Sequence, residues 1–171
     1  MTSGPMRGMG GWRVDEAATR HRFEQALAEH EQEFETFFLA KLFGLRFEYS
    51  PGRCRVDLAV DEFMLNPRRG VHGGVIAFAL DTAMGHLCRH EAWAGITLAT
   101  DIRYLRPLEG DGVCEATFDA LGDTLAVVSA QMHDATGGLC AVARSTWMRI
   151  RGSESGDVDG TAGVPLAEVK T

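Results

Sequence analysis

Residues 66–92 read NPRRGVHGGVIAFALDTAMGHLCRHEA, and this stretch decides the fold. From Val75 onward the apolar residues follow no alternation: Val75, Ile76, Phe78, Ala79, Leu80, Ala83, Met84, Leu87 and Cys88 wrap most of a helix. A helix that is apolar nearly all round has to be buried nearly all round. The residues after it supply the cover. Segments 96–106, 113–121, 125–133 and 139–150 read as strands, joined by turn-like stretches at 107–112, 122–124 and 134–138. Consecutive strands with short turns pair antiparallel. Ile96, Leu98, Ile102 and Tyr104 are expected on one face of the first strand, and Cys114, Ala116 and Phe118 on one face of the second. Upstream, Cys54, Val56, Leu58 and Val60 alternate with Arg53, Arg55 and Asp57 behind a Pro51-Gly52 turn, which predicts a half-buried strand. The expected class is α+β, an antiparallel sheet wrapped around one long central helix. There is no β-α-β alternation, no G-x-G-x-x-G and no G-x-x-x-x-G-K-[ST], which argues against Rossmann and P-loop domains.

Before the first strand, Phe23, Leu27, Phe34, Phe38 and Leu42 recur at near-helical spacing across residues 15–43, with Gly44 as the stop. The very polar middle, residues 29–33, leaves open a division into two helices. Three stretches result: a flexible N-terminus over 1–13, a single domain over 14–151 and a flexible tail over 152–171, whose composition is poor in apolar residues. The chain has 171 residues, 45% apolar and 24% charged, enough for one well-buried core. Its net charge of −7 argues against broad binding to nucleic acid or anionic lipid, while leaving room for a local basic pocket for a phosphorylated ligand. No segment approaches the ~20 apolar residues of a membrane span, and no signal peptide is read at the N-terminus. Cys54, Cys88, Cys114 and Cys140 form no C-x-x-C pair and are expected to be free and buried. A cytoplasmic protein is expected.

Within the deciding stretch, Asp81 sits among Phe78, Ala79, Leu80, Ala83 and Met84. A carboxylate on such a helix is costly unless it is hydrogen-bonded or near water, and partial burial raises its pKa toward that of a general base or nucleophile. Gly73 and Gly74 open the helix, where backbone N–H groups lack internal partners and a carbonyl oxygen can approach closely. A tight turn or close packing explains two glycines equally well. Asn66, the only asparagine in the chain, either caps a turn before Pro67 or holds water or ligand. His72 either orders the loop or bonds a substrate carbonyl. His86 and His90 stand four apart with Cys88 between them, a metal-ligand spacing. No third ligand accompanies them, so exposed histidines are expected and no metal.

Taken together, Asn66, His72, Gly73, Gly74 and Asp81 resemble the signature N-x-x-G-x-x-H-G-G with an Asp seven residues after the last glycine, followed here by Ala83. It is the signature of the phenylacetate-pathway (PaaI-like) thioesterases of the hotdog superfamily. Gly70 falls one residue later than in many members. The run Thr97-Leu-Ala-Thr-Asp-Ile-Arg-Tyr-Leu-Arg-Pro107 is similar to the family's next strand, Gly137-Gly138 fits its last hairpin, and the resemblance spans residues 35–150. It implies a hotdog fold, a homodimer or a tetramer of two dimers, and hydrolysis of acyl-CoA without metal or cofactor. The Gly73 N–H, helped by Gly74, would hold the thioester carbonyl. Asp81 would activate water or attack directly, and Asn66 would orient water or the carbonyl. A strand hydroxyl would assist, Thr97 matching better than Thr100. Arginine forks suit the phosphates of CoA, and Arg68, Arg69, Arg103 and Arg106 lie near the implied site.

Spacing adds one argument of its own. Asp81 lies eight residues beyond Gly73, about 12 Å along a helix, whereas reacting groups must lie within ~3–3.5 Å. If both serve one substrate, they come from different chains. Two other functions remain: an acyl-thioester hydratase, against which the His-Gly-Gly and Asp81 pattern argues, and a non-catalytic acyl-CoA binder, against which the acidic region 15–43, with no helix-turn-helix pattern, argues.

Overall fold

A computed structural model describes residues 12–150. The deciding stretch forms one unbroken helix, α3 (Gly73–Glu91), after α1 (Glu16–Glu29), α2 (Phe38–Leu42), β1 (Leu45–Ser50), β2 (Arg53–Leu58) and a single 3-10 turn (Glu62–Met64). Four long strands follow: β3 (Gly95–Tyr104), β4 (Gly112–Leu121), β5 (Leu125–Asp134) and β6 (Leu139–Arg149). They make one antiparallel sheet in the order β1-β2-β4-β5-β6-β3, so the strand next to α3 in sequence lies at the far edge. The sheet wraps the helix, and the fold is the expected hotdog fold.

The helix and the sheet share one core. Ala116, Ala126, Ala130, Ala141 and Ala143 of the strands are buried in the same cluster as Ala79, Leu80, Ala83, Met84 and Leu87 of α3. Leu80, Met84 and Leu87 are fully enclosed, and truncating such a side chain costs ~2–5 kcal/mol. All four cysteines are free and buried, and burial pushes the Cys54 and Cys88 thiols up to about 12.

The structure departs from the sequence reading in three places. Strand β1 was not foreseen, although Leu45, Phe47 and Tyr49 alternate with Arg46, Glu48 and Ser50 and pair across the Pro51-Gly52 turn with β2. The N-terminal helical region is two helices, the division its polar middle left open, with Gly44 at φ +64 closing α2. Phe23 and Leu27 on α1 remain 47% and 54% exposed rather than facing a core. The third departure is a β-bulge at Leu98, between the pairs Thr97↔Trp147 and Ala99↔Thr146. Regular alternation would place Thr97 and Tyr104 on opposite faces, because they are an odd number of residues apart. The extra residue restores parity, so both turn toward α3.

The expected mobile ends, 1–13 and 152–171, lie outside the described residues except for Trp12 and Arg13. Trp12 donates its indole N–H to the Pro67 carbonyl, and its ring lies 5.4 Å from the Arg69 guanidinium. No helix among the described residues is long and apolar enough to cross a membrane.

Candidate active site

The loop before α3 satisfies its own backbone. Asn66 N–H donates to the Gly70 carbonyl and its own carbonyl accepts from Arg69 N–H, each at 2.8 Å. Its side-chain oxygen accepts from Arg68 N–H at 2.8 Å, an Asx turn. Arg69 sits at φ +67, in the left-handed region that favours glycine. This is the position where the signature carries its glycine, and the displaced Gly70 has no positive φ. Trp12 and the turn hold Arg69 there.

His72 caps the helix. Its Nδ1 accepts the Gly74 N–H at 3.0 Å, which leaves the ring proton on Nε2. The His72 carbonyl takes the Val75 and Ile76 N–H groups. Of the first-turn donors, only Gly73 N–H finds no acceptor among the described residues. The two glycines therefore have different causes. A Cβ on Gly74 would lie 3.1 Å from His72 Nδ1, so the cap accounts for that glycine and occupies its N–H. A Cβ on Gly73 would meet the Tyr104 ring at an ordinary 3.4 Å, and Gly73 has no positive φ, so neither packing nor conformation demands glycine there. The Tyr104 hydroxyl donates to the Gly73 carbonyl at 2.9 Å and fixes the start of the helix.

Two turns further on, Asp81 is half-buried and accepts the Thr97 hydroxyl at 3.0 Å. Burial raises its carboxyl above the ordinary aspartate range, and the Thr97 bond pulls part of the way back. Thr100 is engaged elsewhere, with Ser145 at 2.9 Å. Asp81 opens onto a cavity of about 360 Å³ lined by Phe34, Phe37, Gly85, His86, Arg89 and Trp147 among others.

The arginines separate. Arg106 is committed to the β5–β6 hairpin, through Asp134 at 2.7 Å and the Leu139 carbonyl at 2.9 Å, and Arg103 pairs with Asp101 at 3.2 Å. Arg68 and Arg69 stay on the exposed loop beside Gly73. His86 corrects the expectation of an exposed histidine pair. It is buried, stacked on Phe47 at 4.1 Å and bonded to the Tyr49 hydroxyl at 2.8 Å, while His90 is exposed against Tyr49. Burial pushes the His86 imidazole down to about 4. Met84 is enclosed in the core, as the all-round apolar helix predicts. The sequence reading placed Phe34 on an expected helix rather than in a site, and singled out neither Gly85 nor Trp147. Only the fold brings these distant residues together.

The sequence profile of the thioesterase superfamily matches residues 70–141. SSO1253 of Saccharolobus solfataricus, a protein named as a candidate esterase, is 30% identical over 116 residues, which is 66% of this chain and 77% of that one. The PaaI protein of the E. coli phenylacetic acid degradation operon is similar in structure, with a TM-score of 0.67 and 25% identity over 79% of this chain and 97% of that one. BH2602 of Bacillus halodurans, solved with CoA, shares the fold at a TM-score of 0.73 and 22% identity, covering 84% of this chain and 98% of its own. The chain belongs to the thioesterase superfamily, and that membership identifies it as a thioester hydrolase.

Proposed function

We propose that this protein hydrolyses an aryl- or medium-chain acyl-CoA to the free acid and CoA, at a site shared between two subunits. The observation that carries this reading is Asp81: a half-buried carboxyl of raised pKa, held by Thr97, at the mouth of a largely apolar cavity. A base of this kind suits the activation of water beside a bound acyl group. The Gly73 N–H, which has no acceptor among the described residues and lies at the positive end of α3, suits the developing oxyanion.

The two groups sit at different heights on one continuous helix, about 12 Å apart along its axis, so one thioester carbon reaches both only if they come from different subunits. The edge strand β3 supports this. It is exposed along almost its whole length, with Ile96, Leu98 and Tyr104 uncovered, and an apolar unpaired edge is a template for pairing with a second copy.

In the proposed reaction the thioester oxygen rests on Gly73 N–H of one subunit. His72, whose proton is on Nε2, stands beside it as a second donor. Asp81 of the other subunit takes a proton from water as the water oxygen bonds to the carbonyl carbon. The C–S bond then breaks and the proton passes to the departing CoA sulfur. Direct attack by Asp81 gives a mixed anhydride that water cleaves, with the same products. Asn66, locked in its turn, shapes the loop that carries His72 and Gly73. Arg68 and Arg69, exposed on the loop beside Gly73, would meet CoA phosphates, and the CoA bound to the B. halodurans relative supports such a ligand.

The test is CoA thiol release from a panel of acyl-CoAs by wild type and Asp81→Asn at matched oligomeric state. Turnover by wild type, reduced at least a thousandfold in the variant, is expected. Saturable acyl-CoA binding without turnover would overturn the reaction, and an active variant would overturn the role of Asp81.

A further inference from the structure

The superfamily match begins at residue 70, yet part of the cavity beside Asp81 is built by residues well before it. Phe34 and Phe37 come from the irregular segment between α1 and α2. This segment is held in place from beneath. Glu35 accepts the Tyr49 hydroxyl at 2.8 Å, and the same hydroxyl bonds His86 Nδ1 at 2.8 Å. The His86 ring stands edge-on to Phe34 at 5.5 Å, and the Arg89 guanidinium lies 3.8 Å from the Phe34 centroid. Phe34 is thus fixed by its neighbours while 41% exposed, an aromatic wall kept at a cavity rather than packed into the core.

Another wall depends on a missing side chain. A Cβ on Gly85 would lie 2.7 Å from the Trp147 ring, closer than real atoms pack, so only glycine lets the indole lie against α3 at this height. Gly85 has no positive φ, so its backbone conformation does not call for glycine. Trp147 and Gly85 both line the cavity, and a methyl group there, with the shift it forces on the indole, takes up space in it.

We propose that Phe34 and Gly85 determine which acyl groups the cavity admits, Phe34 as a wall supplied by the segment between α1 and α2, and Gly85 as the gap that lets Trp147 lie against α3. The proposal rests on the reading above, in that it places the acyl group beside Asp81. A cavity of ~150 Å³ holds a benzene ring, so about 360 Å³ takes a ring and its linker, and the walls set the shape that fits.

The two residues predict opposite changes, which a merely structural role would not give. Phe34→Ala should widen the cavity and raise kcat/KM for dodecanoyl-CoA relative to hexanoyl-CoA at least tenfold, chiefly through KM. Gly85→Ala should narrow it and lower the same ratio at least tenfold. Phe34→Leu, which keeps bulk and is the safer variant for folding, should leave the ratio within threefold of wild type. Isothermal titration of the free acids into the same proteins measures the cavity without turnover. Opposite shifts in acid affinity with no hydrolysis by wild type would uphold the cavity walls and overturn the reaction. Parallel shifts, or an unchanged ratio in Phe34→Ala, would overturn this assignment even with full thioesterase activity.

Discussion

Gly73→Pro removes one hydrogen from the protein at the point where the mechanism needs it. Position 73 is the first residue of α3, where proline is well tolerated because its missing N–H would have no partner inside the helix. The residue before a proline must be extended, and His72 already is, at φ −63 and ψ 134. The Gly73 N–H has no acceptor among the described residues, so its loss breaks no bond of the fold. The added Cβ meets Tyr104 at ordinary contact distance. Stability should therefore change by less than ~1 kcal/mol, as for a compatible proline substitution. Activity should fall by about 10²–10³ in kcat, the loss typical of one oxyanion donor, or ~3–4 kcal/mol of transition-state stabilisation. Gly73→Ala is the control, since it keeps the N–H and adds the same Cβ; it should stay within about tenfold of wild type. The assay is thiol release, with urea denaturation and size measurement to confirm the fold. A well-folded Gly73→Pro protein with wild-type kcat would refute the assignment of Gly73.

Three further outcomes follow from the same geometry. Thr97→Val removes the hydroxyl that holds the Asp81 carboxyl down, so Asp81 should protonate at a higher pH and the acid limb of kcat/KM should move upward. The rate should drop about tenfold, from ~1.5 kcal/mol for a hydrogen bond to a charged group, and Thr97→Ser should restore both; a pH–rate profile decides. His86 is held neutral in the fold, with its pKa depressed to about 4 from about 6.5, so the unfolded chain binds the extra proton. Stability should be full above pH ~6.5 and fall as pH drops toward 4, by up to ~3 kcal/mol, in urea titrations across that range; His86→Phe should flatten the slope. Arg69→Gly places glycine where φ is +67 and should stabilise the loop by up to ~1 kcal/mol despite losing its contact with Trp12; the melting temperature should rise.

The central helix was legible because its burial is written into its composition, and the strands after it because their turns are. Strand β1 was harder: its six residues follow a helical pattern directly, and alternation over so short a run competes with the helical reading before it. The bulge at Leu98 has no sequence signal, since one extra residue in a strand looks like strand, yet it is what turns Thr97 toward Asp81. The motif singled out Asp81 and Gly73 and gave Gly74 a helping role. The structure differs on Gly74, because the His72 side chain occupies its N–H and leaves that of Gly73 without an acceptor among the described residues. Arg106 looked like a phosphate ligand until the hairpin carboxylate Asp134 claimed it. Phe34, Gly85 and Trp147 were beyond sequence reasoning, because they meet only when segments more than a hundred residues apart fold onto α3.

The central claim is a thioesterase site that joins Gly73 of one subunit to Asp81 of another, and subunit mixing tests it most directly. Gly73→Pro and Asp81→Asn chains, each nearly inactive alone, would be co-expressed with different tags and the mixed dimers assayed for CoA release. If the site is shared, each mixed dimer has one site with both defects and one with none. A random one-to-one mixture should then recover about a quarter of wild-type activity, and purified mixed dimers about half. If each subunit uses its own Gly73 and Asp81, every site carries a defect. Activity no higher than that of the separate variants would contradict the account.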